Sequence, residues 1–160
     1  MCKKMCKNIT LNEARDKAFL ADQAYKSFPN SSEEPITNPA TGSSFEVVEQ
    51  VNEYTAFGKG FGFSGTVFKN TETNEYVIAF RGTNDGEDIL DNLIMGATST
   101  GLLGDVANKQ FKEAFAFASK QIAEILAKDP DAKISAAEHS LGGALAQIIS
   151  AKPKLQNHNI

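Results

Sequence analysis

The stretch Glu138-His139-Ser140-Leu141-Gly142-Gly143 constrains the fold of this chain more than any other. It lies between a short apolar run, Ala132 to Ala137, and an Ala/Leu-rich helical pattern from Leu141 to Ala151 that stops near Pro153. A serine on a sharp strand-to-helix turn flanked by glycines has its hydroxyl lifted clear of a sheet. The helix behind it aims free N–H groups and the positive end of its dipole at that oxygen, where an anion can form. The stretch therefore predicts a strand, an elbow and a helix, with Ser140 as candidate nucleophile. Taken alone, Ser140 reads better as a helix N-cap, a role worth about 1 kcal/mol, and it is the Arg-Gly-Thr turn upstream that favours the elbow.

Upstream, the pattern is that of an α/β domain. Thr10 followed by Glu13 reads as a capping box opening a helix with an apolar stripe of Leu11, Ala14, Ala18, Ala21 and Tyr25. Pro29 to Ser44 is rich in Pro, Ser, Asn and Gly and reads as an irregular loop, followed by a strand over Phe45 to Val51. Phe63 to Lys69 and Glu75 to Arg81 are β-prone runs joined by Asn70-Thr71-Glu72-Thr73-Asn74, a hairpin by residue chemistry. Tyr76 to Phe80 is apolar on both faces, as a central strand is. Arg81-Gly82-Thr83 then makes a turn, Glu87 to Leu93 a short amphipathic helix, and Met95 to Gly104 a small-residue connector. From Asp105 to Lys128 the period is helical, with a stripe of Phe111, Phe115, Ala118, Ile122, Ile125 and Leu126, ended by Asp129-Pro130-Asp131. The order strand, helix, strand, helix implies a parallel pair joined by a right-handed crossover, preceded by an antiparallel hairpin in a mixed sheet.

At 160 residues the chain fits one domain, expected over 11–152 between short tails at 1–10 and 153–160. A formal charge of −4, with Arg15 and Arg81 the two arginines, argues against a nucleic-acid partner. Cys2 and Cys6 lie in a Lys-rich terminus without the further Cys or nearby His that a metal site needs, and read as a reduced tail. No run resembles a signal peptide or a membrane span, so the expected location is the cytoplasm, with leaderless secretion left open.

Two segments match one family in order and separation. Tyr76-Val77-Ile78-Ala79-Phe80-Arg81-Gly82-Thr83 and His139-Ser140-Leu141-Gly142-Gly143-Ala144-Leu145-Ala146 resemble the class 3, or fungal-type, lipases of the α/β-hydrolase fold. Gly62 to Phe68 and Asp88 to Leu93 are similar to the family's segments on either side of the Arg-Gly-Thr turn. The resemblance implies a lipase-like serine hydrolase acting on lipid esters without metal or organic cofactor. It makes Ser140 the nucleophile and the backbone N–H groups of Thr83 and Leu141 the oxyanion donors. It makes Glu87 to Leu93 a lid able to contact a membrane interface.

The chain departs from the family in three places. Glu138 stands where the family has Gly, so its side chain either points out past the sheet edge or forces the elbow open. Asn108 and Gln110 replace a His and a Gly ahead of Phe111. The triad order of the fold is Ser, then Asp or Glu, then His, on loops after later strands; here the chain runs on for only about twenty residues after Ser140, too few to hold those strands. Asp91 and Asp105 precede the elbow and read as solvated. His139 adjoins Ser140, and neighbouring side chains at a tight turn diverge. His158 is within reach, since the helix carries the chain about 16 Å away and seven extended residues span about 23 Å back, yet nothing in the tail orients it. Two alternatives follow: a non-catalytic truncated fragment completed by another chain or self-associating through an uncovered sheet edge, or a module that binds an acyl chain without cleaving it. Arg81 is expected to fix its turn through an ion pair or a carbonyl contact.

Overall fold

The computed structural model describes residues 9–28, 34–52, 63–81 and 102–138. They form helix α1 (Leu11–Gln23), strands β1 (Ile36–Thr37), β2 (Ser44–Asn52), β3 (Ser64–Asn70) and β4 (Glu75–Phe80), helix α2 (Leu102–Lys128) and strand β5 (Lys133–Glu138). The five strands lie side by side in chain order. β1 to β4 are antiparallel neighbours and β5 is parallel to β4, which gives the expected mixed sheet with the central strand in its expected place.

Local chemistry sets the ends of these elements. The Thr10 hydroxyl accepts from the Glu13 N–H at 3.2 Å while the Glu13 carboxylate accepts from the Thr10 N–H at 2.7 Å, closing the capping box. In the β3–β4 hairpin the Asn70 side-chain oxygen accepts from the N–H groups of Glu72 and Thr73 at 2.8 and 2.9 Å, replacing ladder bonds that the turn cannot make. The segment expected as an irregular loop up to Ser44 instead holds β1, which pairs with the start of β2 across a turn where Gly42 takes φ +79°. A register shift between Val47 and Glu49 then changes which β2 residues face each side: Val47 packs on one face, Val48 and Val51 on the other.

The sheet has a helix on each face. Phe63, Val67, Ile78 and Phe80 pack against Ala114, Phe117, Ala118 and Ile125 of α2. On the opposite face Phe68, Val77, Ala79 and Ala137 pack against Leu20, Ala21 and the adjoining Ala24 of α1. Gly65 permits the close approach of α2, since a Cβ there would lie 2.9 Å from the Phe63 ring and 3.0 Å from that of Phe117.

Both helical stripes differ in part from the expectation. In α1 Ala21 is buried as expected, as is Leu20, which with Phe19 widens the expected stripe, but Leu11, Ala14 and Ala18 are exposed and Gln23 is buried. Its polar Asp16 faces inward because its carboxylate accepts from Asn38, Thr41 and Ser43 of the β1–β2 turn, at 2.5 to 2.9 Å. In α2 the buried line is Ala114, Phe117, Ala118, Gln121 and Ile125, with Phe115, Ile122 and Leu126 half-buried at its margin. The helix turns on its axis to seat Phe117 over Gly65. α2 also begins at Leu102, inside the segment expected as a connector.

Candidate functional site

Ser140, Leu141 and Thr83 lie outside the described residues, as do His139, His158 and the expected lid over 87–93. What is described is the frame from which the chain runs into them. β4 and β5 are paired in parallel from Glu75 opposite Lys133 to Phe80 opposite Glu138. Both strands therefore deliver the chain from the same sheet edge, three residues before Thr83 and two before Ser140. The crevice outside the carboxyl ends of parallel strands is where open α/β sheets bind ligands.

The register of this pair is held at its far end. The Lys133 N–H donates to the Asn74 carbonyl at 2.9 Å, the Asn74 amide donates to the Asp129 carboxylate, and the Ser135 hydroxyl donates to Glu75 at 3.1 Å. A slip of one residue would break these bonds and turn Ala137 out of the core.

At the carboxyl end, Arg81 is the first residue past β4. Its N–H donates to the Ser64 carbonyl at 3.1 Å, extending the β3–β4 ladder by one bond. Its guanidinium stands 5.4 Å from the centre of the Tyr25 ring, a cation–π contact, while the turn it is expected to fix lies outside the described residues. Tyr25 follows the end of α1, and its N–H donates to the Asp22 carbonyl at 3.1 Å. Gln50 of β2 holds the same segment: its side-chain oxygen accepts from the Phe28 N–H at 2.8 Å, and its amide lies 2.9 Å from both the Lys26 carbonyl and the Thr66 hydroxyl. Ser64, Thr66 and Gln23 are buried nearby, so this corner is polar. Sequence reading missed it: Gln50 carries no motif, and Tyr25 reads as one more apolar position.

Glu138 is exposed, and its pairing opposite Phe80 is intact. By strand alternation it shares the α2 face with Ile134 and Ala136. Partial burial pushes its carboxyl above the ordinary value of 4.5, because desolvation disfavours the charged form. Its exposure fits the first of the two alternatives for the Gly-to-Glu departure, while the elbow itself lies outside the described residues.

Among the described residues no helix is long and apolar enough to cross a membrane. A family model described as phospholipase-like, Tle-like phospholipase domain, matches residues 16–154. No curated protein matches. Among solved structures, Lip2 lipase from Yarrowia lipolytica is similar with a TM-score of 0.61 and 17% identity, over 90% of this chain and 53% of that one. The N225Q mutant of MDLA from Penicillium cyclopium is similar with a TM-score of 0.57 and 17% identity, over 94% of this chain and 60% of that one. The chain thus spans little more than half the length of these neighbours. The likeness is one of fold, and with the family match it bears out the resemblance to class 3 lipases drawn from the motifs.

Proposed function

Because the chain belongs to the phospholipase-like family, as a Tle-like phospholipase domain, we propose that it is built to hydrolyse carboxylic esters of lipids with Ser140 as nucleophile. The observation that carries this reading is the register of β4 and β5, whose carboxyl ends Phe80 and Glu138 are neighbours. From those ends, three residues reach about 11 Å and two reach about 7 Å. Neighbouring strands lie about 5 Å apart. Thr83 and Ser140 are thereby within range of one ester group. The domain is taken to run over 11–152.

In the proposed reaction Ser140 Oγ bonds to the ester carbonyl carbon and gives its proton to a base. The N–H groups of Thr83 and Leu141 stabilise the oxyanion that forms; donors preorganised in a dry cleft lower such a barrier by roughly 3–4 kcal/mol. Collapse expels the alcohol, which takes up the proton, and water then cleaves the acyl-enzyme. No metal or organic cofactor enters these steps. The base and its orienting acid follow the serine in this fold. After Ser140 the sequence holds His158 and no Asp or Glu.

That composition, with the 53% and 60% coverage of the lipase neighbours, supports a second reading. In it, further chain supplies the acid and the histidine.

A serine-reactive fluorophosphonate, together with a short-chain ester, tests both readings. Labelling of the 160-residue protein at Ser140, lost in Ser140→Ala together with ester turnover, supports the first. Labelling only after the segment encoded downstream is added supports the second. No labelling in either form overturns the serine assignment.

A further inference from the structure

The exposed start of α1 has no role in the steps above. Among the described residues, the large apolar side chains left exposed are Ile9 and Leu11, at 53% and 67%. They stand on either side of the Thr10 cap that opens the helix. From Leu11 the outward face of α1 runs on through Ala14, Arg15 and Ala18, all exposed. One exposed leucine is ordinary. Here the exposed apolar side chains are gathered at one end of the fold, with a cation one turn away.

Charge is gathered at the same end. Residues 1–17 hold Lys3, Lys4, Lys7, Arg15 and Lys17 against Glu13 and Asp16, a net +3, while the other 143 residues carry −7. Lys7 is two residues from Ile9 and Lys3 is six, so on any course of the chain they lie at most about 7 and about 22 Å from it. Both acids of the stretch are engaged by the protein's own donors. The Glu13 carboxylate accepts from the Thr10 N–H at 2.7 Å, and that of Asp16 accepts from Asn38, Thr41 and Ser43. Asp22, one turn beyond Ala18, is the first acid on the outward face.

We propose that this end of the protein is an interfacial anchor for an anionic lipid bilayer. Ile9 and Leu11 enter the boundary between headgroups and acyl chains, and Lys3, Lys4, Lys7 and Arg15 lie among the anionic headgroups. Binding of this kind adds buried apolar area to attraction for anionic lipid. Two side chains bury too little to hold a protein on a neutral bilayer, so the charge is needed. The net −7 of the remaining chain is repelled by the same surface, which turns this end toward it. A nucleic acid would meet the lysines but offers no apolar layer for Ile9 and Leu11. The anchor makes no use of the serine chemistry, and it selects the kind of surface on which a lipid esterase would find substrate.

The test is cosedimentation of the 160-residue protein with vesicles of phosphatidylcholine alone and of phosphatidylcholine mixed with phosphatidylglycerol, at low and high salt. Wild type is expected to bind the mixed vesicles about tenfold or more tightly than the neutral ones, the difference shrinking at high salt. Lys3→Gln/Lys4→Gln/Lys7→Gln is expected to lose about tenfold or more on the mixed vesicles. Ile9→Ser/Leu11→Ser keeps every charge and is expected to lose about tenfold, because less apolar area enters the bilayer. Removing three exposed lysines elsewhere, in Lys112→Gln/Lys128→Gln/Lys133→Gln, should leave binding within about threefold of wild type. Thermal unfolding identifies the folded variants, and should the apolar variant fail to fold, the lysine variant is read against the distant-lysine control. Equal binding of wild type to both vesicle types overturns the proposal. So does wild-type affinity in a folded lysine or apolar variant, or an equal loss in the control. Binding to short duplex DNA as tight as to the mixed vesicles, unchanged in the apolar variant, would make this end a general polyanion site and overturn the bilayer assignment. Fluorophosphonate labelling bears on Ser140 alone: a protein that binds the mixed vesicles and does not label loses the serine reading and keeps the anchor.

Discussion

The two faces of the sheet are built on different principles. Against α2 the contacts are large and apolar: Phe63 lies 5.6 Å from Phe117 and 6.2 Å from Phe80 between ring centres, with Val67, Ile78 and Ile125 filling the remainder. Against α1, large residues such as Phe45 and Phe68 sit toward the β1–β2 turn. Toward the carboxyl end of β4 the contacts change to alanines and buried polar groups, including Ala24, Ala79, Ser64 and Thr66. Apolar burial is strong but has no direction, whereas hydrogen bonds fix angle as well as distance. The α2 face accordingly supplies stability, and the α1 face supplies the placement of the chain where β4 ends.

The widest separation between the faces should come from Phe117→Ala. Phe117 is 8% exposed and packs against Gly65 and the Phe63 ring, so its truncation leaves a cavity in the core. A loss of about 3–5 kcal/mol is expected, measured by urea unfolding as a lower midpoint with an unchanged slope. A loss under about 1 kcal/mol would mean that α2 is not the stabilising layer, and the contrast would fail.

Gln50→Leu probes the other face and should cost less, about 1–3 kcal/mol. It removes the bonds to Phe28, Lys26 and Thr66 and leaves the buried Thr66 hydroxyl without its Gln50 partner. Adding Thr66→Val should recover part of that loss, because removing both partners of a buried hydrogen bond costs less than removing one. The double variant being less stable than the sum of the singles would assign the effect to packing instead.

The same contrast explains what could be read from sequence. The apolar runs of β3 and β4 announce themselves because strand alternation and burial on both faces leave a compositional mark, and the Asn70 turn and the Thr10 cap use side chains with few other local roles. The stripes of both helices are right in part, with Leu20, Ala21, Ala118 and Ile125 buried, and miss the inward turn of Asp16 and Phe117. In α1 three polar side chains from the β1–β2 turn hold Asp16 inward, and in α2 the glycine at 65 draws in Phe117 rather than Phe115. Both causes lie far off in sequence, where periodicity does not reach. The turn chemistry nominates Thr83, Ser140 and Leu141, which lie outside the described residues. The Tyr25–Arg81 contact was not legible, because it joins residues 56 positions apart and neither has a spacing that pairs it with the other.

The smallest expected effect concerns Glu138, and its sign depends on which face the carboxyl meets. On the α1 side it would approach Arg81, whose charge would hold the carboxyl below its ordinary range. Its shift is upward from 4.5, caused by desolvation, which fits the apolar α2 side given by strand alternation. A raised native value means that the folded protein binds more protons than the unfolded chain in the window starting around the ordinary carboxylate pKa. Stability therefore falls as pH rises through that window. Glu138→Gln removes this dependence. The variant should unfold at a higher temperature than wild type near pH 7, by on the order of 1 °C because the carboxyl is largely solvated, and the difference should vanish near pH 3, where both states of wild type are protonated. A variant less stable than wild type at pH 7, with the gap closing on acidification, would show that the carboxylate is held by a cation. It would place Glu138 with Arg81 on the polar face, and the division between the two faces would end one residue short of the strand end.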